Sequence, residues 1–173
     1  LGINEKILRM RVLAGEGGMD KTAILSELRN FALLYKSWII SLTETKLSNN
    51  YADTAEYHIS LCNETYERIV KGIDILKNDE LAYSAFNLAN KAMLMQSMHS
   101  DMQKHKRDRG SEGLLWPDYS STDADSKKWR PFQIGFLLLS LDGIINPDSD
   151  DRKVVDLIWF PTGGGKTEAY LGL

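Results

Sequence analysis

Val154-Val155-Asp156-Leu157-Ile158-Trp159-Phe160 runs directly into Pro161-Thr162-Gly163-Gly164-Gly165-Lys166-Thr167-Glu168-Ala169-Tyr170-Leu171-Gly172, and this stretch decides the fold. The first run is almost unbroken in apolar and β-branched residues, as in a strand of a parallel sheet covered on both faces. The second reads as a phosphate-binding loop that opens a helix. Strand, glycine-rich turn and helix in that order place a nucleotide at the carboxyl end of the strand. Glycines let consecutive backbone N–H groups turn inward around a phosphate, and the start of the helix adds partial positive charge. Lys166 would reach the β- and γ-phosphates of ATP, and the Thr167 hydroxyl would ligate the accompanying Mg²⁺. Thr162, Gly163, Gly164, Gly165, Lys166 and Thr167 are therefore the candidate nucleotide-binding residues of the loop.

Phe160 stands where the general phosphate-loop pattern has its first glycine. Pro-Thr-Gly-x-Gly-Lys-Thr is the form of motif I in superfamily 2 helicases and translocases, where that first position is often not glycine. Upstream, Trp129-Arg130-Pro131-Phe132-Gln133 resembles the Arg-Pro-Tyr/Phe-Gln element that precedes motif I in many of these motors. An amide offers a donor and an acceptor, so Gln133 suits the N6 and N7 edge of adenine. A plainer reading stands beside it: Pro131 opens a helix whose apolar residues Phe136, Leu137, Leu138, Leu139 and Leu141 belong to a core.

With these residues in view, the chain resembles the helicase subunit of DISARM-type anti-phage defence systems. Residues 129–133 and 155–173 carry the likeness, and Ala85-Phe86-Asn87-Leu88-Ala89-Asn90-Lys91-Ala92-Met93-Leu94-Met95-Gln96 looks similar to the same subunit's helical region. The resemblance implies a large DNA-dependent ATPase that works with a partner subunit against invading DNA. It also implies parts that these residues do not supply: an Asp-Glu box, a second motor lobe and an arginine finger. Phosphoryl transfer needs those parts together, so the chain is expected not to hydrolyse ATP alone. The expected architecture is mainly α: a helical accessory bundle over 1–106, a polar linker over 107–128, and over 129–173 the first helix, strand and phosphate loop of a truncated RecA-like α/β motor domain.

The first half is patterned for helices. Asp20 suits the N-cap of a helix whose buried face carries Ile24, Leu28, Phe31, Tyr35, Trp38, Ile39 and Leu42, with an end at residues 48–51. The next, from about Ala52 to Lys77, has Ala55, Ile59, Cys62, Tyr66, Ile69, Ile73 and Leu76 on an antiparallel-packing seam, with Gly72 permitting close approach. Asn78 or Asp79 opens a third with Leu81, Ala85, Leu88, Ala92 and Met95 on one line and Ala82, Phe86, Ala89 and Met93 beside it. Met93, Met95, Met98 and Met102 suit core filling or an adaptable docking surface. A linker follows at Gly110, Gly113 and Pro117, which Leu114-Leu115-Trp116 would pin to the bundle.

A hydrophobic content of 43% over 173 residues supports a core. A net charge of −3 excludes a generally basic nucleic-acid surface. Lys104, His105, Lys106, Arg107 and Arg109 form one basic stretch, suited to a phosphate backbone or to a solvated helix end. The single cysteine, Cys62, allows no internal disulfide and suits a helix core. His58, His99 and His105 lack the spacing of a zinc site. No run is apolar enough for a membrane span, so the expectation is a cytoplasmic protein. The helical part would then brace the motor or guide DNA, or else dock a partner protein.

Overall fold

The computed structural model describes residues 2–45, 51–109, 116–159, 161 and 163–173, with the side chains of 108 and 109 left aside. The described chain is mainly helical. A 3-10 turn over Glu5–Leu8 leads into α1 (Met10–Leu13), α2 (Lys21–Thr43), α3 (Ala52–Asn78), α4 (Glu80–Arg109), α5 (Thr122–Ser126), α6 (Pro131–Ile145), a 3-10 turn over Asp150–Lys153, and α7 (Lys166–Leu171). Among the described residues no strand forms; the only β pairing is an isolated antiparallel bridge between Arg9 and Lys128.

The helix starts follow from local chemistry. The Asp20 carboxylate accepts the Ala23 N–H at 2.7 Å and caps α2 as expected. The Asp79 carboxylate accepts the N–H groups of Leu81 and Ala82 at 2.9 and 3.0 Å, which turns the chain from α3 into α4. Ser121 caps the short α5. Of the face expected on α2, Ile24, Leu28 and Ile39 are buried, with Ala32 in place of the aromatic residues: Phe31 and Tyr35 are half-buried and Trp38 is exposed. On α3 only the second half of the seam is buried, at Ile69, Gly72, Ile73 and Leu76, while Ala55, Ile59, Cys62 and Tyr66 are half-buried.

On α4 the two expected lines separate. Ala82, Phe86 and Met93 turn into the core with Asn90, Leu94 and Met98, whereas Leu81 and Leu88 stand 81% and 64% exposed. Met93 and Met98 therefore fill the core. In the connector, Leu114 and Leu115 lie outside the described residues; Trp116 packs its edge on His99 with ring centroids 5.3 Å apart, and the Tyr119 hydroxyl meets His99 Nε2 at 2.7 Å.

One core runs through the described helices. It joins Ile7 and Leu13 of the N-terminal segment, Ile24 and Leu28 of α2, Ile73 of α3, Leu94 of α4, and Trp129, Ile134 and Leu138 at and within α6. The core therefore passes from the helices of 1–106 into α6. The tightest crossing is α3 on α6, at Gly72: a Cβ placed there would sit 2.0 Å from the Leu138 carbonyl oxygen. Alanine in a helix is ordinarily better than glycine by about 1 kcal/mol. Here overpacking against backbone outweighs that gain, because the helix axes must separate. With overpacking at the upper end of its usual range, about 2–3 kcal/mol, set against that gain, Gly72→Ala is expected to lower stability by about 1–2 kcal/mol net, read as a lower denaturation midpoint; an unchanged or raised midpoint would contradict the crossing.

Candidate nucleotide-binding site

The segment expected as a strand, residues 154–159, forms no helix and no strand pairing among the described residues, and Val154 at its start is extended, with φ −90° and ψ 135°. A strand is made by backbone bonds to a neighbour, and among the described residues no other strand is present to supply them. Its apolar side chains show the same lack: Val155, Leu157 and Trp159 are 93%, 81% and 85% exposed. Among the described residues the sheet of the α/β motor edge expected over 129–173 does not form, and this part consists of α6, the 3-10 turn over Asp150–Lys153, an unpaired run and α7.

The loop that follows is folded on itself rather than standing open as a phosphate cradle. Pro161 offers its carbonyl oxygen to the Gly164 N–H at 3.1 Å and to the Lys166 ammonium at 3.0 Å. Gly163 and Gly165 have φ of 77° and 85°, a left-handed conformation that glycine adopts without strain. Nothing lies within 4 Å of where a Cβ on Gly163 would be, so that side of the turn is open. A helix follows the loop, as expected: α7 begins at Lys166, with Gly165 as its N-cap and Thr167 exposed on its first turn. Phe160 and Thr162 lie outside the described residues.

Gln133 is nearly enclosed, at 4% exposure, and touches the loop. Its Oε1 accepts the Arg130 N–H at 2.6 Å, which caps α6, and its Nε2 donates to the Gly165 carbonyl at 2.6 Å. An amide carries two N–H donors and two oxygen lone pairs, so these bonds leave one donor and one acceptor. α7 is further held by Tyr170, whose ring packs edge-on against Phe136 at 5.4 Å, and by the buried Ala169.

The sequence reading missed the side chains that fasten the run at 154–159. Arg68 of α3 donates from both terminal nitrogens to the two oxygens of Asp156, 2.7 Å each. Its Nε stands 3.2 Å from Asp151 without hydrogen-bond geometry. The Asp156 hydrogen bond, foremost, raises the Arg68 pKa. One turn along, Lys71 donates to Asp142 at 2.6 Å, and Ser149 donates to the same carboxylate. Burial is the largest influence on Asp142 and would raise its pKa, yet Lys71 and Ser149 together hold it below the usual carboxylate range. The available signal was Asp156 itself, a lone carboxylate inside an apolar run. Among the described residues no cluster of metal-ligating side chains forms, and no helix is long and apolar enough to cross a membrane.

This order of residues has a counterpart. The chain is 40% identical over 156 residues to the DISARM protein DrmA of Bacillus paralicheniformis. It is related to DrmA. The match takes in 89% of this chain and 13% of DrmA, so the chain spans about an eighth of that relative's length. No protein-family model matches the chain.

Proposed function

We propose that this chain is the leading part of an ATP-dependent DNA helicase or translocase in an anti-phage defence system. The observation that carries the reading is a helix opening at Lys166 directly after two left-handed glycines, in a chain related to DrmA. Gly163 and Gly165 would present backbone N–H groups to the phosphates, together with Thr162 and with Gly164 once its N–H leaves the Pro161 carbonyl. Lys166 would leave the Pro161 carbonyl for the β- and γ-phosphates, and Thr167 would ligate Mg²⁺. The free donor and acceptor of Gln133 match the N6 and N7 edge of adenine. Bound ATP supplies the phosphoryl group and Mg²⁺ neutralises its charge; this chain's residues bind and orient them. The unpaired run at 154–159 is read as a strand of the motor's sheet, which accounts for its exposed apolar row.

A second reading is favoured by the outward line of α4, where Leu81 and Leu88 are exposed. The helical part would then be a docking module for a partner defence subunit, attached to a phosphate-loop ATPase of another family. The exposed Lys104, His105, Lys106 and Arg107 fit DNA contact instead. ATP turnover by the full-length protein, measured with and without duplex DNA and with GTP in place of ATP, separates the two. The helicase reading expects DNA to stimulate turnover and ATP to be preferred. Turnover indifferent to DNA, with equal use of GTP, would overturn it in favour of the docking module.

A further inference from the structure

Two cations one turn apart on α3 hold the whole path into the loop. Lys71 takes Asp142, near the end of α6, and Arg68 takes Asp156 while standing beside Asp151. Asp142 also binds Ser149, so the turn between α6 and the run at 154–159 is gripped at both ends. Little else fixes that run. Beyond Val154, whose N–H donates to Asp151, no backbone hydrogen bond among the described residues anchors 155–159, and its apolar side chains are mostly exposed.

The ion pairs are poorly suited to stabilising the fold as such. The side chains of Arg68, Asp151 and Asp156 are only 16%, 17% and 30% exposed, so the cost of desolvating the charges offsets most of what the intact pairs contribute. A forked guanidinium–carboxylate pair does fix direction as well as distance. We propose that Arg68 is a positioning residue for the nucleotide loop: through Asp156 it sets where the run over 154–159, and with it Pro161 and Gly163 to Thr167, stands against the helical bundle. This rests on the ATP-binding reading of the loop. It makes α3 the element through which the bundle and the nucleotide sense each other, since movement of the loop on binding ATP must pull on Asp156.

The test is titration of a fluorescent ATP analogue into the full-length protein, with thermal unfolding of the same samples. Arg68→Ala and Asp156→Asn are each expected to weaken binding by about tenfold to a hundredfold, the cost of a misplaced binding group. Arg68→Lys keeps the charge but loses the fork, so binding should fall part-way. Arg68→Ala leaves two carboxylates without their partner and should lower the unfolding midpoint, whereas Arg68→Lys keeps the charge and should leave the midpoint close to that of the parent. Weaker binding at that unchanged midpoint is what a merely structural role would not allow. Arg68→Lys and Asp156→Asn proteins that fold and bind as the parent does would overturn the proposal, and they decide it even where Arg68→Ala fails to fold. Lys166→Ala is the control: loss of binding there, with unchanged binding in the Arg68 variants, sinks the positioning role alone. Unchanged binding in Lys166→Ala sinks the ATP-binding reading and the positioning role with it.

Discussion

Lys166→Ala is expected to lower ATP turnover by the full-length protein about a hundredfold to a thousandfold, the usual loss when a group aimed at developing charge is removed. The fold should survive the change. Lys166 begins α7, where alanine is at least as good a helix former as lysine. Its ammonium bonds the Pro161 carbonyl at 3.0 Å on an exposed loop, a contact of small net value to stability. In the proposed reading the lysine supplies a cation that leaves that carbonyl for a phosphate. Turnover and thermal unfolding measured together decide its role. A lowered turnover with an unchanged midpoint fits the phosphate role. A lowered midpoint would make the Lys166–Pro161 bond structural, and turnover that survives would remove the loop from the reaction.

The long helices α2, α3 and α4 were legible because each announces itself within a few residues, whereas the short α1 and α5 were not read from the sequence. Asp20 caps α2 as its position before Ile24 implied, and α3 was expected over Ala52 to Lys77 and spans Ala52–Asn78. Gly72 was expected to permit a close approach and does so against Leu138. Local periodicity does not say which of two adjacent apolar lines meets the core, and so Leu81 and Leu88 of α4 were placed inward although they face out. The run at 154–159 shows a deeper limit. Its composition states a preference for the extended conformation, but a strand is a pairing and belongs to two segments at once. Arg68 and Asp156 lie far apart in the chain, and their pairing follows from the α3–α6 crossing rather than from any local pattern. Gln133 was read through its amide alone; that one end of it would bond the Gly165 carbonyl depended on where α6 and the loop meet.

Trp129→Ala is expected to cost about 3–5 kcal/mol, more than the Gly72 change, because it removes both a large buried volume and a hydrogen-bond donor. Trp129 is 2% exposed at the meeting of three parts of the chain. Its backbone N–H donates to the Leu8 carbonyl at 2.8 Å, its indole N–H donates to the Asn90 amide oxygen at 2.7 Å, and its ring lies against Gly172, where a Cβ would come within 2.8 Å of it. Asn90 is itself 1% exposed and spends its amide nitrogen on the Phe86 carbonyl. Without the indole its oxygen is left buried and unpaired. Trp129→Phe separates the two costs: most of the volume stays, the donor goes, and about 1–3 kcal/mol should be lost for the orphaned oxygen. Chemical denaturation of the three proteins, compared at a common slope, reads the difference directly. Equal stability of Trp129→Phe and the parent would mean that the Asn90 bond contributes nothing and that the tryptophan acts by volume alone. A Trp129→Phe loss as large as that of Trp129→Ala would instead make the buried amide the main reason for an indole at this junction between the N-terminal turn, α4 and the start of α6.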